Sequence, residues 1–323
     1  MRAFLTGATG FIGGHVARKL RERGDDVVTL VRSPEKAARL GELGCDLVQG
    51  DLTDSAAIRR GVEGADAVFH IGGVYKVGVP ASERPTLEEA NVQGTERVLD
   101  AAIEAGVARV VYVSTVACFG NTHGRVVDES YERPDRDFLS VYDETKYRAH
   151  ELAVDRMEKG APIVIVQPGG VYGPGDHSEI GNVIDQARTG KLKAKMFPDS
   201  GFMFGHVEDI AEGIVLAHDR GEIGQCYVLA GEKGTIGDLV DKVSALSGRK
   251  PPRFTLPPAM MRLSAPLGPV IGPLLGFPPN LRELIKTSDG VTCWASDEKA
   301  RRELGFAPRD LDTGLRQTVE AGR

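Results

Sequence analysis

The chain has few cysteines, and no two of them are spaced for metal binding. The four cysteines among its 323 residues are Cys45, Cys118, Cys226 and Cys293, which stand far apart and form no Cys-x-x-Cys pair. A disulfide framework or a zinc site of that kind is therefore not expected, and reduced thiols in a cytoplasm are the plain interpretation. The histidines show no H-E-x-x-H spacing, so no metal centre is expected.

Long apolar runs and an excess of positive charge are also missing. No run of roughly 18 uncharged apolar residues occurs, so a membrane-spanning helix is not expected. Lysine and arginine number 40 against 46 aspartate and glutamate residues, for a net charge of −6. Nucleic acid is therefore not expected as the main partner, because binding it needs a concentrated basic surface. The first ten residues already resemble a strand entering a glycine turn, which predicts a cytoplasmic protein with no signal peptide.

Glycine, by contrast, is abundant. It supplies 40 of 323 residues, or about 12%, against a usual share of about 7%. Hydrophobic residues make up 41% and charged residues 27%, which is ordinary for a folded globular chain and wrong for a disordered one. Some of the glycine therefore indicates backbone that must approach another molecule closely.

Short apolar runs alternate with helical patterns in the first half of the chain. The runs predict strands at residues 2–6, 26–31, 45–49, 67–71, 109–114 and 163–167. The patterns between them predict helices at residues 11–23, 55–62, 86–105 and 141–158. Most of the strands are nearly continuous apolar runs, as expected when helices cover both faces. The alternation predicts an α/β fold with a doubly wound, parallel Rossmann sheet.

The pattern changes after about Pro174. Nine of the 18 prolines lie between positions 251 and 279, a density that forbids a long regular helix or a central strand. We therefore expect a Rossmann domain over residues 1–174, with 205–222 packing back onto it. A smaller mixed α/β substrate-binding domain is expected from 175–204 and 223–323. The uncharged apolar segment 263–277 fits a lid over an apolar substrate, a membrane-surface contact or core packing.

A glycine-rich loop connects the first predicted strand to the first helix. Gly7, Gly10 and Gly13 have the spacing G-x-x-G-x-x-G. The first allows a tight turn, the second lets backbone approach a pyrophosphate, and the third brings the helix close to the strand. Phosphate then lies at the positive end of the helix, where Phe11 and Ile12 are further candidate contacts. In this context the loop predicts a dinucleotide site.

The end of the second predicted strand indicates which dinucleotide is bound. An acidic residue there would accept a hydrogen bond from the ribose 2′-hydroxyl of NAD. This strand ends instead in Arg32, whose guanidinium suits a 2′-phosphate and cannot accept from a hydroxyl. NADP(H) is therefore favoured over NAD(H). A solvated arginine at a strand end is the alternative.

Tyr142 and Lys146 form a Tyr-x-x-x-Lys pair within a predicted helix. Positions i and i+4 share a helix face, so the phenol and the ammonium can act on one site. An adjacent ammonium favours phenolate and would lower the tyrosine pKa from its usual value of about 10. We therefore predict that Tyr142 acts as general acid and base on a carbonyl or alcohol oxygen.

These features together resemble the extended short-chain dehydrogenase/reductases of the NAD(P)-dependent epimerase/dehydratase superfamily. The matching motifs cover nearly the whole chain and are specific for the family, though not for a substrate. They are TGATGFIGG at 6–14, GDLTD at 50–54, VFHIGG at 68–73, NVQGT at 91–95, VYVSTVACFG at 111–120, YDETK at 142–146, QPGGVYGPGD at 167–176, GHVEDIA at 205–211 and DEKARRELGFAP at 297–308.

The resemblance implies further site residues. Thr115 would be the third catalytic residue and would donate to the substrate oxygen, while Lys146 would also bind the nicotinamide ribose. Asp51 and Leu52 would hold the adenine edge. The remaining cofactor contacts that the resemblance implies are Ile71, Gly72, Gly73, Val113, Pro168, Gly169 and Val171. It also suggests a homodimer through the helices near 86–105 and 141–158, although the family includes monomers.

Three chemistries within such a family can be compared. Sugar-nucleotide 4,6-dehydratases typically carry Asp-Glu after the active-site threonine, where this chain has Val116-Ala117, so dehydration is disfavoured. Sugar-nucleotide epimerases bind a second pyrophosphate with arginine support, and the equivalent segment 195–204 has no arginine. Lysines at 191, 193 and 195 could still bind a phosphate. The third class resembles dihydroflavonol-4-reductase and the 3β-hydroxysteroid dehydrogenases.

The expected function is therefore reversible hydride transfer between NADPH and a ketone or aldehyde of a largely apolar or aromatic substrate. A sugar-nucleotide epimerase is the alternative, followed by a non-catalytic NADP-binding sensor. The candidate residues for an apolar substrate pocket are Tyr75, Phe119, Tyr172, Met203 and Phe204. Core packing of these aromatic residues is the competing interpretation.

Overall fold

The computed structural model describes residues 1–269 and 278–322, and within them eleven strands form two sheets. In chain order the strands are β1 (Arg2–Thr6), β2 (Asp26–Val31), β3 (Asp46–Gln49), β4 (Ala67–His70), β5 (Arg109–Val113), β6 (Ile163–Pro168), β7 (Gly170–Tyr172), β8 (Gly201–His206), β9 (Cys226–Leu229), β10 (Glu232–Thr235) and β11 (Thr292–Cys293).

The larger sheet is parallel throughout, with the order β3-β2-β1-β4-β5-β6-β9. This confirms the predicted doubly wound α/β fold, and each of the six predicted strands is present to within one residue at either end. The strand order reverses between β1 and β4. In open α/β sheets that point opens a crevice at the carboxyl ends of the strands, where ligands bind.

Helices cover both faces of this sheet. The α-helices of the described residues, in chain order, are α1 (Phe11–Glu22), α2 (Ala38–Glu42), α3 (Ser55–Val62), α4 (Arg84–Glu88), α5 (Gly94–Glu104), α6 (Val141–Glu158), α7 (Glu179–Thr189), α8 (Val207–Arg220), α9 (Ile236–Leu246), α10 (Pro258–Ser264), α11 (Leu281–Ser288), α12 (Glu298–Leu304) and α13 (Leu311–Ala321). Buried side chains of α1, α8 and α12 form one apolar layer against the sheet, and those of α3, α5 and α6 form the other.

Residues 84–104 form one continuous helical segment, close to the predicted 86–105, but the prediction missed a change in its winding. The structure divides it into α4, one π-helical turn over Glu89–Gln93, and α5. A π turn places one extra residue in the helix and often marks a functional site. Here the turn contains the buried side chain of Asn91, which bonds both backbone groups of Val74 at the edge of the crevice.

The boundary between the two parts of the chain also differs from the expectation. Strand β9, assigned to the smaller part, is the seventh strand of the large sheet because it pairs in parallel with β6. Strand β7, assigned to the Rossmann part, pairs instead with β8 in the second sheet. That sheet is centred on β8, which pairs antiparallel with β10 and parallel with β11 and β7. The segment 205–222 supplies α8, which packs against α1.

The proline-rich segment forms only short elements, as its composition predicts. Helix α10 is followed by a 3₁₀ turn over Ala265–Leu267, and both pack against α11. Of the apolar segment 263–277, residues 270–277 lie outside the described residues. Across residues 1–269 and 278–322, no helix combines the length and apolarity that crossing a membrane requires.

Candidate active site

A cleft of about 1420 Å³ runs along the carboxyl ends of the large sheet. It brings together every catalytic and cofactor-binding residue predicted from the sequence, although their roles stay predictions. These lining residues are Gly7, Gly10, Phe11, Ile12, Gly13, Arg32, Asp51, Leu52, Ile71, Gly72, Gly73, Val113, Thr115, Tyr142, Lys146, Pro168, Gly169 and Val171. Positions more than 150 residues apart thus meet at one crevice because parallel strands end at the same edge.

The glycine loop leaves no space for side chains at its closest contacts. Gly7 has φ +78°, a left-handed conformation that favours glycine. A Cβ atom on Gly13 would lie 2.1 Å from the carbonyl oxygen of Gly7, so helix and loop touch backbone to backbone. Gly10 precedes α1 and offers no capping side chain, so the first N–H groups of the helix face the cleft. This arrangement fits a dinucleotide pyrophosphate.

At the far end of the cleft, Arg32 and Asp51 lie beside the glycine loop. Arg32 is exposed and makes no ion pair within the described part of the chain. Asp51 accepts hydrogen bonds from the Oγ1 and backbone N of Thr53 at 2.6 and 2.8 Å. The hydroxyl and then the amide hold the pKa of Asp51 below its usual value. The arginine is therefore a cation available to an anionic ligand, while the carboxylate is already bonded.

Helix α6 places Tyr142 and Lys146 in the middle of the cleft. Ser140 caps the start of this helix, because its side chain accepts a hydrogen bond from the backbone N of Asp143 at 3.0 Å. Lys146 is 8% exposed, and its Nζ donates to the carbonyl oxygen of Val113 at 3.1 Å. Burial lowers the pKa of Lys146 to about 8. The ammonium therefore remains charged at neutral pH in a largely buried position.

The predicted lowering of the Tyr142 pKa by Lys146 is wrong in this structure. Burial raises the pKa of the phenol well above its usual value, the Cys118 thiol raises it further, and only the Thr115 hydroxyl lowers it. Burial outweighs the ammonium because Lys146 is directed at the Val113 carbonyl rather than at the phenol. At neutral pH Tyr142 is therefore protonated and can donate a hydrogen bond or a proton.

The two hydroxyls of Ser114-Thr115 differ in their partners. Ser114 Oγ lies 3.0 Å from Nδ1 of His150 and 3.4 Å from Sγ of Cys118, both inside the protein. Thr115 Oγ1 lines the cleft and accepts from the backbone N of Ala117 at 3.2 Å. The Thr115 oxygen thus uses one acceptor position, and its hydrogen is available for donation within the cleft, to the Tyr142 phenol or to a bound oxygen.

Sequence patterns gave no indication of a buried ion pair that holds the start of α6. Arg133 and Asp143 are both buried and form two parallel bonds, of 2.7 Å from Nη1 and 3.0 Å from Nη2. The Asp143 carboxylate also accepts from the backbone N of Leu139. Buried carboxylates need such partners, because an unpaired one carries a large desolvation cost. The pair therefore positions the residue that follows Tyr142 in the helix.

A buried polar network beneath the cleft was also missed. Thr95 Oγ1 donates its one hydrogen to the carbonyl oxygen of Asn91. Its contact of 3.0 Å with Nε2 of His70 is therefore one in which the histidine donates and the threonine accepts. The other ring nitrogen of His70, Nδ1, lies 2.7 Å from Oγ1 of Thr6, which accepts from the backbone N of Gly72. Burial lowers the pKa of His70 to about 3. A neutral histidine thus ties the glycine loop to the π turn.

Asn91 carries this network to the catalytic helix. Its Nδ2 donates to Oγ1 of Thr145 and to the carbonyl oxygen of Val74, both at 3.0 Å. Its Oδ1 accepts from the backbone N of Val74 at 2.7 Å. The one sequence signal was an asparagine within an otherwise amphipathic helical pattern, which does not by itself distinguish a buried amide from an exposed one.

The predicted substrate pocket is largely wrong. Tyr75 lines the cleft, with its ring edge-on to that of Tyr142. The other four candidates are buried in apolar clusters away from it, because apolar side chains cover both faces of β8 and the turn after β5. These four are Phe119, Tyr172, Met203 and Phe204. Phe202, Cys293 and Glu179 line the substrate end of the cleft in their place.

Comparison with known proteins decides the family. Residues 3–230 match the model of the "NAD dependent epimerase/dehydratase family". The chain belongs to this family. It is 32% identical to a 4-hydroxy-2-methyl-3-oxo-4-farnesyl-3,4-dihydroquinoline-1-oxide ketoreductase of Stigmatella aurantiaca, over 100% of this chain and 98% of that protein. It is 30% identical to a putative dihydroflavonol 4-reductase of Synechocystis sp., over 98% of this chain and 93% of that protein.

A solved structure supports the same assignment. The crystal structure of gox2253 superposes with a TM-score of 0.85 at 34% identity, covering 99% of this chain and 97% of that one. Members of the NAD dependent epimerase/dehydratase family are oxidoreductases that bind a nicotinamide cofactor. Among the described residues, no three His, Cys, Asp or Glu side chains are grouped as metal ligands.

Proposed function

We propose that the chain is an NADP(H)-dependent reductase acting on the ketone or aldehyde group of a largely apolar or aromatic substrate. One observation carries this proposal. The phenol of Tyr142, protonated at neutral pH, and the hydroxyl of Thr115 line the same cleft as the glycine loop. A carbonyl placed between them meets two O–H donors, which is what stabilises negative charge as it develops on that oxygen.

Tyr142, Thr115 and Lys146 each have a distinct task in this scheme. When bound, NADPH supplies the hydride that reaches the carbonyl carbon. Tyr142 donates its proton to the carbonyl oxygen, and Thr115 donates a hydrogen bond to the same oxygen. Lys146, held by the Val113 carbonyl, binds the nicotinamide ribose with its ammonium. At neutral pH the phenol of Tyr142 carries its proton, which is the state that a proton donor needs for reduction.

The preference for NADP(H) rests on Arg32. Its side chain is an exposed cation at the end of β2, beside the loop expected to hold the adenosine ribose. A guanidinium forms charge-assisted bonds with a phosphate group, which NADP(H) carries on that ribose and NAD(H) does not. Asp51, the nearest carboxylate in the cleft, is already bonded to Thr53.

The apolar character of the substrate rests on the walls beside Tyr142. Tyr75 and Phe202 line the cleft there, and a second cavity of about 350 Å³ adjoins it across Tyr75. The apolar part of that second cavity consists of Val77, Val79, Pro80 and the pair Pro278-Pro279, and its polar part includes Lys76, Glu83, His177 and Asn182. The two reductases from Stigmatella aurantiaca and Synechocystis sp. that resemble this chain are named for polycyclic or aromatic substrates. Such walls fit a ring system or an apolar tail better than a sugar.

The test is a panel of aromatic and aliphatic ketones and aldehydes, with NADPH oxidation followed at the nicotinamide absorbance. Tyr142→Phe should lower turnover by about 10²- to 10⁴-fold while the dissociation constant of NADPH is unchanged. Tyr147→Phe, five residues further along the same helix and on a different face, is the control and should keep its activity. Undiminished turnover in Tyr142→Phe contradicts the assignment. Cofactor retained through purification with no net NADPH oxidation supports the sugar-nucleotide epimerase instead.

A further inference from the structure

Helix α10 carries apolar side chains on opposite sides. Met261 and, in the next turn, Ala265 are buried against α11. On the other side Met260, Leu263 and Leu267 are 56%, 84% and 59% exposed. The helix of a globular domain normally keeps polar residues on its outer face, and one that is apolar all round is normally covered. The outer side of α10 has no such cover in the described part of the chain.

The preceding segment extends the same surface. Leu256 packs on the buried cluster that holds Met261, so residues 254–267 run over one apolar core. Phe254, at the start of this stretch, is 55% exposed. We call Phe254, Met260, Leu263 and Leu267 the apolar surface. Single exposed apolar side chains are ordinary, whereas four large ones in fourteen consecutive residues indicate a contact site.

The charge of this region is opposite to that of the whole chain. Residues 242–282 contain six lysines and arginines and no acidic residue, although the net charge of the chain is −6. Three of these cations, Arg249, Lys250 and Arg253, are exposed and make no ion pair within residues 1–269 and 278–322. Arg262, by contrast, pairs with Asp289. Along the chain, the three unpaired cations directly precede Phe254, the first residue of the apolar surface.

We propose that the apolar surface docks onto an anionic lipid membrane. Phe254, Met260, Leu263 and Leu267 enter the boundary between headgroups and acyl chains, and the three unpaired cations bind lipid phosphates. The acidic remainder of the chain is repelled by the same headgroups, which sets one orientation at the surface. Helix α11, on which α10 packs, lines the cleft with Thr287, so docking brings the cleft close to apolar molecules dissolved in the membrane.

Co-sedimentation of the full chain with lipid vesicles tests the proposal without using catalysis. The protein should bind vesicles of phosphatidylcholine mixed with phosphatidylglycerol. Binding to pure phosphatidylcholine should be about tenfold weaker or more, because each basic residue near an anionic surface adds several-fold to the partition coefficient. The M260E/L263E/L267E variant should bind neither kind of vesicle. R249Q/K250Q/R253Q should lose the preference for anionic vesicles.

The matched control is I103E/V126E/I223E, which adds the same three charges at exposed apolar residues elsewhere. It should bind the anionic vesicles like the unaltered protein, and circular dichroism should show that all three triple variants are folded. Two results overturn the proposal: the unaltered protein fails to sediment with anionic vesicles, or M260E/L263E/L267E binds as well as the control. A third result would also overturn it. In this outcome, light scattering shows that only M260E/L263E/L267E is a monomer while the unaltered protein is a dimer, and neither protein binds vesicles.

Discussion

The ring of Tyr75 stands edge-on to the ring of Tyr142, with 4.8 Å between their centroids. Edge-to-face pairs of this kind are attractive because the ring edge is positive and the ring face negative. Tyr75 also lines both the cleft and the smaller cavity beside it, and its hydroxyl lies 3.5 Å from Oε2 of Glu179. The residue therefore forms a wall between the proposed proton donor and the space for the rest of the substrate.

Removal of this ring should weaken substrate binding more than chemistry. We expect Tyr75→Ala to raise the KM of an aromatic ketone by about 2- to 12-fold, since an aromatic contact contributes about 0.5–1.5 kcal/mol beyond its buried area. Tyr75→Phe keeps the ring and loses only the long contact to Glu179, so its KM should stay near that of the unaltered enzyme. Steady-state kinetics with the best substrate of the carbonyl panel measures both. An unchanged KM in Tyr75→Ala removes Tyr75 from the substrate wall.

Replacement of Arg32 should change the choice of cofactor. Arg32→Ser should weaken NADPH binding by about 10- to 150-fold, because a hydrogen bond to a charged group contributes about 1.5–3 kcal/mol. NADH binding should hardly change. Nicotinamide fluorescence titrations give both dissociation constants, and Arg39→Gln, at an exposed position of helix α2, serves as a control. If the ratio of the NADPH and NADH dissociation constants is the same for Arg32→Ser as for the unaltered chain, Arg32 is a solvated arginine with no role in specificity.

Two neighbouring glycines in α1 should respond oppositely to alanine. At Gly13 the added Cβ would lie 2.1 Å from the Gly7 carbonyl oxygen, whereas at Gly14 the nearest contact is 3.4 Å, from the Ala8 carbonyl oxygen. Gly13→Ala should therefore displace the loop, weaken NADPH binding at least tenfold and lower the free energy of unfolding by about 1–3 kcal/mol. Gly14→Ala should be neutral or stabilising by up to about 1 kcal/mol. Titration and urea unfolding of both variants provide the comparison.

Acid should destabilise the fold through His70. Its pKa is about 3 in the native state because burial, and then the Lys146 charge, disfavours the protonated ring, against 6.5 in the unfolded chain. Between these values the unfolded state binds one more proton, so the free energy of unfolding falls as pH decreases below about 6.5. The slope from this group approaches about 1.4 kcal/mol per pH unit. Above pH 6.5 the contribution is complete and constant.

His70→Gln isolates this contribution. Urea unfolding at several pH values between about 7 and 5 should show a slope shallower by about one proton in the variant, since glutamine does not titrate. The variant should also be less stable at pH 7, because the ring stacks on Tyr112 and bonds Thr6 and Thr95. The pH slope is therefore the decisive measurement, and equal slopes would mean that His70 carries its proton in the native state.

Regular elements that depend on local pattern were predicted well. Strands β1 and β2 and helices α3 and α6 have the bounds that their hydrophobic patterns predict. The glycine loop and the Tyr142 pair were recognisable because their chemistry requires fixed spacing along the chain. These features meet at one cleft for a topological reason, since parallel strands all end at the same edge of the sheet.

Features that depend on tertiary packing were not predicted. The hydrophobic pattern did not show the π turn at Glu89–Gln93, where Asn91 bonds Val74 and Thr145, partners far away along the chain. Phe204 was expected in the pocket, yet both faces of β8 are covered, and aromatic residues in such a strand fill cores. The pKa of Tyr142 depended on burial and on the direction of the Lys146 side chain, and spacing reveals neither.

The late strand β9 has a consequence for synthesis of the chain. Its partner β6 is complete at Pro168, but Cys226–Leu229 emerges about sixty residues later, which takes roughly 3–12 s at ribosomal rates of about 5–20 residues per second. Until then the Ile-Val-Ile-Val edge of β6 has unpaired backbone groups that can pair with another nascent chain. Four residues at the border of the sheet thus determine how long each new molecule is exposed to aggregation on the ribosome.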